Sequence, residues 1–413
     1  MDDPPPAWAD LHNISGAPGL TLLCNVCDAG NSSHPSDSYR QYNFAMILVT
    51  LPLVGIFGLI GNSMSVLVYS RPVMRSSLNV YLCGLGCSDV VVILTAFFMF
   101  TVEGLRRFSV RIAVLYADTL KIIYPIGLNA QTCSVYLTVA AGIDAFISVV
   151  LSKRTAGKCC TIQRAFKVIV LIVFLSLIYN VTHCMEIKVY TCYDAAFRSM
   201  SKTVCASDFR GNPNYNLYYY TYGYTLVMAA GPLALLIVLN TTIIVTLQLK
   251  KRAPSTTTTE GSPEDEGEGE DPITLILVVC LFILCNSLAL IINFLEAFMA
   301  DSLGTTLNYL VDVSNFMVVC NSSANFIIYY IFGGSFKTVL WSICSCSRKY
   351  SSKGVGGQAV VGARLGATAA IDGLTSGNGT RSDCIQLMTP DSVPDSVNYL
   401  KSPSDSSYIE WKC

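Results

Sequence analysis

Seven long apolar runs dominate the chain, near residues 44–70, 78–103, 119–151, 165–187, 215–249, 272–300 and 306–332. Each has the roughly 20 residues that a helix needs to cross the hydrocarbon core of a bilayer. Lipid offers the backbone no hydrogen-bond partners, so a spanning segment must satisfy its own. The pattern therefore predicts an all-α membrane protein, a bundle of seven transmembrane helices. The third and fifth runs are long enough to tilt or to project beyond the lipid. Pro52, Pro125 and Pro232 fall inside runs, where a bundle tolerates the kinks they introduce.

Basic residues give the runs a direction. Arg71, Arg75, Lys153, Arg154, Arg164, Lys250, Lys251, Arg252 and Lys337 collect on one side, with fewer on the other, among them Arg106, Arg107, Lys188 and Arg210. The bias places the N-terminus outside and the C-terminus inside. Two sequons headed by Asn13 and Asn31 then fall in the outer tail, 1–43, and are glycosylation candidates. The acidic, proline-rich start "MDDPPPAWAD" has no apolar core, so no signal peptide is expected. Residues 253–271, "APSTTTTEGSPEDEGEGED", and 346–413 cannot bury a core and are expected to be a disordered inner loop and tail around a membrane domain at 44–345. The Thr256–Thr259 tract and the serines of the tail are kinase-target candidates.

Composition agrees and removes whole function classes. Hydrophobic residues make up 52% and charged ones 13%, half the roughly 25% usual in soluble domains. Net charge is −1, which gives no general attraction to nucleic acid. His12, His34 and His183 share no metal-ligand spacing, and no nucleophile elbow or phosphate loop occurs. No enzyme and no cofactor is expected. One half of the chain does not repeat in the other, against a repeat-built transporter.

Certain residues carry more than hydropathy. Asp89 is an acid in mid-span, expensive there and a functional candidate by default. Ser134 in span 3 and Asn321, Ser322 and Asn325 in span 7 are oxygen-bearing neighbours suited to a small hard cation; the competing reading is a polar knot gluing three helices. Glu186, Glu296 and Asp312 are acids at the outer ends, with aromatic Tyr124 and Tyr309 nearby, an arrangement suited to a cationic peptide. Arg210 is either a loop anchor or a contact for an acidic ligand group.

The strings "GN" (Gly61, Asn62), "LGCSD" (Leu85 to Asp89) and "NSSANFIIYYIFGGSF" (Asn321 to Phe336) resemble rhodopsin-like, class A, G-protein-coupled receptors. "YPIGLNAQTCSVYLTV" (Tyr124 to Val139), "DFRGNPNYNLYYY" (Asp208 to Tyr220), "CNSLALIINFLEAF" (Cys285 to Phe298) and "YLVDVSNFMVVCNSSANFIIY" (Tyr309 to Tyr329) narrow the likeness to invertebrate FMRFamide-type neuropeptide receptors. The resemblance implies a plasma-membrane receptor for an amidated peptide, an outward movement of helix 6, and G protein or arrestin as inner partners. It implies a short amphipathic eighth helix against the lipid, with Cys344 and Cys346 as palmitoylation candidates. It implies sodium at Asp89, Ser134, Asn321, Ser322 and Asn325, and a ligand site that includes Gln131 of span 3. Val135, Pro232 and Phe282 match a packing triad that links pocket to inner opening. Gly127 stands where amine receptors hold an aspartate, which argues against a monoamine ligand. The usual disulfide from the top of span 3 is absent, because Leu120 occupies its position; Cys192–Cys205 is one substitute, and a bridge from Cys24 or Cys27 to the loop is the rival.

Departures from the pattern cluster on the inner face. The family's Asp-Arg-Tyr reads Asp144-Ala145-Phe146 here, so the arginine that pairs with the acid and meets the G protein is missing. Asn240 replaces a tyrosine, Phe326 a proline, and Asn286 and Leu288 an aromatic and a proline, while Tyr329 is retained. Asp144 is expected to sit unpartnered at a wet helix end. Two readings follow: a signalling receptor with a modified inner face, or a decoy, scavenger or arrestin-linked receptor that couples weakly.

Overall fold

The computed structural model describes residues 22–24, 37–252, 270–303 and 305–352. Seven helices are long and apolar enough to cross a membrane: α1 (Asp37–Tyr69), α2 (Ser77–Phe108), α3 (Val110–Val150), α4 (Ile162–Met185), α5 (Leu217–Arg252), α6 (Glu270–Leu303) and α7 (Thr305–Phe332). An eighth, α8 (Gly334–Ser352), follows α7 directly. The bundle is apolar on its outside: Val170, Leu171, Phe174, Leu177 and Ile178 of α4 are all exposed, as a lipid-facing surface requires. Inside, Leu85, Val135, Leu236, Ile243, Val279, Phe282 and Tyr329 belong to one buried cluster that joins α2, α3, α5, α6 and α7.

Some of the irregular turns have local causes. Two π-helical stretches, Phe44–Thr50 and Thr225–Ala230, end just before Pro52 and Pro232. A wider turn there gives room to the ring that would otherwise strike the carbonyl one turn back. Gly333 separates α7 from α8: a Cβ there would lie 2.7 Å from the Tyr329 carbonyl oxygen. At Gly61 the missing Cβ lets α7 approach α1, since a methyl would stand 2.7 Å from Phe326 Cβ. Phe326, present where a proline was expected, uses that notch and stacks edge-on to Phe336 at 6.1 Å.

Between α4 and α5 lies an antiparallel hairpin, β1 (Ile187–Asp194) and β2 (Ser199–Ala206), an addition to the expected helices. Lys188–Asp208 and Lys202–Asp118, both 2.5 Å, pin it to the following loop and to α3. Residues 22–24 run beside β1, with Tyr193 N–H donating to the Leu22 carbonyl (2.7 Å) and Cys24 N–H to that of Tyr193 (3.2 Å). Cys24 is disulfide-bonded to Cys192. Of the two expected alternatives this is the bridge from the N-terminal pair to the loop, which corrects Cys192–Cys205, and the hairpin register explains why. Cys192 faces Ser201 while Cys205 faces Lys188, which separates the two cysteines by four residues along the ladder, about 13 Å and beyond disulfide reach. Cys205 is itself disulfide-bonded.

Of the expected segments, the outer tail overlaps α1, which begins at Asp37, and α8 runs past 345. Residues 253–269 of the inner loop, the remainder of the C-terminal tail, and the sequons at Asn13 and Asn31 lie outside the described residues. Cys344 is exposed and unbonded on α8; the side chain of Cys346 is outside the description.

Candidate functional site

At mid-bundle, α2, α3 and α7 converge on Asp89, which is wholly buried. Ser134 Oγ donates to Oδ1 (2.8 Å) and Asn325 Nδ2 to Oδ2 (2.8 Å), and Ser322 is a third partner. Asn321 is less buried and is not among the carboxylate's partners. No basic side chain among the described residues pairs with Asp89, so the cluster is a set of neutral oxygen and amide groups around a buried carboxylate. That donor set fits a small hard cation, which would supply the charge that burial calls for. Val135 and Phe282 lie in the same core cluster, and Pro232 is buried on α5. Tyr329 is 1% exposed and its hydroxyl has no hydrogen-bond partner among the described residues.

At the hairpin end, Glu186 sits between α4 and β1 with no exposed surface. Its carboxylate accepts four bonds: His183 Nδ1 (2.8 Å) and Tyr215 OH (2.5 Å) on Oε1, Tyr124 OH (2.9 Å) and Arg210 NH1 (2.7 Å) on Oε2. Burial alone would raise its pKa. The hydrogen bonds from His183, Tyr215 and Tyr124 outweigh burial and hold the carboxyl at about 2. Thus Tyr124, expected near the ligand, and Arg210, expected as either a loop anchor or a contact for an acidic ligand group, are drawn together here, where Arg210 ties its loop to Glu186. Tyr219 OH extends the network, donating to the Tyr179 carbonyl (2.5 Å) and standing 3.4 Å from His183 Nε2.

Asp312 lies across the bundle mouth on α7. Its Oδ2 accepts from Tyr39 OH (3.0 Å) and Asn43 Nδ2 (3.1 Å), both on the first turns of α1. Tyr309 packs edge-on to Tyr39 at 5.0 Å and against Tyr42 at 4.8 Å. Gln131 is half-buried on α3, and the Glu296 side chain is outside the description.

At the opposite end, Asp144 is not at a wet helix end, as the sequence had suggested, but 9% exposed. Ser77 Oγ, at the start of α2, donates to its Oδ2 (2.7 Å), and Cys160 Sγ approaches its carbonyl oxygen at 3.6 Å. Burial and the neighbouring acid push the Cys160 thiol up to about 12. Ala145 is 3% exposed in the core, with Phe146 packed against the same cluster. Lys250 Nζ closes the end of α3 on the Val149 carbonyl (2.7 Å).

The sequence reading missed His183, Tyr215, Tyr39, Asn43 and Ser77. His183 had one signal, an acid three residues on at the end of an apolar run; the others had none, because their partners lie far along the chain.

Residues 61–329 match the 7 transmembrane receptor (rhodopsin family). A Caenorhabditis elegans protein named "Probable G-protein coupled receptor frpr-1" is 42% identical over 334 residues, 77% of this chain and 84% of that one. The Drosophila melanogaster "FMRFamide receptor" is 29% identical over 338 residues, 81% of this chain and 59% of its own. A second nematode protein, "FMRFamide peptide receptor frpr-18", is 29% identical over 309 residues, 73% and 68% of the two chains.

Proposed function

The chain belongs to the rhodopsin family of seven-transmembrane receptors, and on that premise we propose that it is a plasma-membrane receptor for an FMRFamide-like amidated peptide. It is a multi-pass G-protein-coupled receptor rather than an enzyme. Its N-terminus and hairpin face outside, where the basic-residue bias puts them. The observation that carries the ligand class is the pair of relatives named for FMRFamide, aligned over 309 and 338 residues. The cleft chemistry supports it: a carboxylate, Asp312, among three tyrosines suits a cationic peptide.

Binding at that mouth is read at the inner end by outward movement of α6, through the core that contains Val135 and Phe282. Asp89, Ser134, Ser322 and Asn325, with Asn321 beside them, would hold a sodium ion, which would supply a positive charge to the buried carboxylate and so weigh toward the resting arrangement of the bundle. Heterotrimeric G protein, arrestin or both then engage the inner face. One observation favours a second reading, a decoy, scavenger or arrestin-linked receptor: Ala145 stands where the arginine would meet the G protein.

A panel of amidated peptides applied to cells expressing the full chain, with second-messenger and arrestin readouts for wild type and Ala145→Arg, tests both readings. The proposed function expects at least one Arg-Phe-amide peptide to elicit a saturable response. Silence to the whole panel, with the receptor at the cell surface, refutes it. If Ala145→Arg raises G-protein output while arrestin recruitment is unchanged, the weakly coupling reading holds; robust wild-type output unchanged by the substitution excludes it.

A further inference from the structure

Acids at the outer end differ in what they still have to offer. A carboxylate has about four lone-pair sites, and Glu186 has filled all four with its own chain's donors. Glu103 is paired with Arg106 (3.1 Å), Asp118 with Lys202 and Asp208 with Lys188. Asp194 caps its own turn by accepting the Ala196 N–H (2.9 Å). Asp312 is different. It is half-buried, pairs with no basic side chain among the described residues, and takes both of its hydrogen bonds on Oδ2. No described residue donates to Oδ1.

The surroundings of Asp312 are equally specific. Tyr39, Tyr42 and Tyr309 have ring centroids 4.8 to 6.3 Å apart, and the Tyr42 hydroxyl ties the group together by donating to the Tyr309 carbonyl (3.3 Å). A planar guanidinium can direct two N–H groups at a single oxygen, here Oδ1, and stacks on aromatic faces, which a compact ammonium does less well. Tyr39 and Asn43 fix the carboxylate from α1 and leave its second oxygen available.

We infer that Asp312, walled by Tyr39, Tyr42 and Tyr309, is the subsite for the guanidinium of the peptide's arginine, and that Tyr39 and Asn43 are its positioning residues. The inference rests on the proposed peptide ligand and deepens it. The first turns of α1 become part of the binding site, and the Glu186 network becomes its frame rather than its acceptor. Arginine recognition is thereby placed at the α1–α7 side of the mouth, across from the hairpin.

The test compares Phe-Met-Arg-Phe-amide with its citrulline analogue, a neutral isostere of the arginine peptide, on the full chain in membranes. Surface receptor is counted separately with an antibody tag. Wild type should prefer the arginine peptide by about tenfold or more, the scale of one partly buried charge-assisted bond. Asp312→Asn should bring the ratio near one. Tyr39→Phe and Asn43→Ala should reduce it while sparing the citrulline peptide, which a general loosening of the fold would not do. They also carry the test should Asp312→Asn fail to reach the surface. Glu186→Gln should weaken both peptides alike and keep the ratio. A full ratio in Asp312→Asn, or a ratio abolished by Glu186→Gln or Glu296→Gln instead, overturns the inference, as does equal binding of both peptides by wild type. Binding of neither peptide by wild type overturns the proposed ligand class and this inference with it.

Discussion

Replacing Glu186 by glutamine removes one charge and changes almost no volume, yet it strikes the point where α3, α4, the hairpin, the following loop and α5 meet. Gln accepts through one oxygen and presents an amide NH2 to two of the four groups that now donate to the carboxylate. A carboxyl held at about 2 instead of 4.5 contributes about 3 kcal/mol at neutral pH. Counting bonds gives the same scale, since losing two charge-assisted bonds costs about 3 kcal/mol or more. The sign follows from the direction of the shift. The folded value lies below the unfolded one, so the contribution is complete above pH 4.5 and disappears as pH falls through about 2. At neutral pH the substitution should lower Tm by roughly 5–10 °C. Cys133 and Cys285 are buried free thiols, so their reaction with a thiol-sensitive dye reports unfolding of purified receptor in nanodiscs. Glu103→Gln is the control: its pair with Arg106 is about one-third exposed, and such pairs contribute about 0–1 kcal/mol. If Glu186→Gln melts with wild type or with the control, the network does not frame the outer end and the reasoning fails.

Other perturbations probe the remaining clusters. Cys24→Ser or Cys192→Ser should destabilise the outer end by about 2–4 kcal/mol, and peptide mapping of the unreduced protein should recover Cys24 linked to Cys192; recovery of Cys192 linked to Cys205 would contradict the hairpin register. Asp89→Asn should abolish any lowering of peptide affinity by sodium chloride relative to N-methyl-glucamine chloride, and a sodium effect that survives it removes Asp89 as the ligand. Ser77→Ala takes a donor from buried Asp144 and should cost about 2 kcal/mol of stability in the same dye assay. Peptide affinity at the opposite end should not change; an unshifted Tm would show that Ser77 does not support the acid.

Hydropathy exposed the seven spans because lipid selects composition over about 20 residues at a time, but it could not mark where helices outrun the membrane. The third run looked like 119–151, whereas α3 starts at Val110; Arg111 and Asp118 lie on helix that hydropathy does not register. The Asp89 cluster was legible because one mid-span acid is conspicuous and its oxygen-bearing neighbours fall in spans 3 and 7. Glu186 was legible as a candidate but not in its role, since its donors come from residues 124, 183, 210 and 215 and only the fold collects them. The cysteines left two pairings open, the N-terminal bridge that forms and the Cys192–Cys205 one that does not, for a sharper reason. Two cysteines on adjacent strands suggest a bridge, but a ladder offset by four residues forbids it, and offset is fixed by the turn and not by spacing.

The inner face shows how a departure from a motif can be absorbed. An arginine lost from beside a buried acid would leave that acid desolvated and unpaired, a costly state. Here Asp144 is kept, buried, and satisfied by Ser77 from α2. The Ala145 methyl fills core space beside it, and Lys250 from α5 closes the last turn of α3. Each contact crosses between helices, so the inner ends of α2, α3 and α5 are held by specific interactions that do not involve an arginine at 145. A face that had merely decayed would show the acid lost or stranded. A retained acid with a replacement partner supports the reading in which the inner end still serves a partner, one whose contact does not require that guanidinium. Ala145→Arg then does more than restore a side chain: it sets a guanidinium in competition with Ser77 for Asp144, and the G-protein and arrestin responses should separate according to which of those two pairings each partner engages.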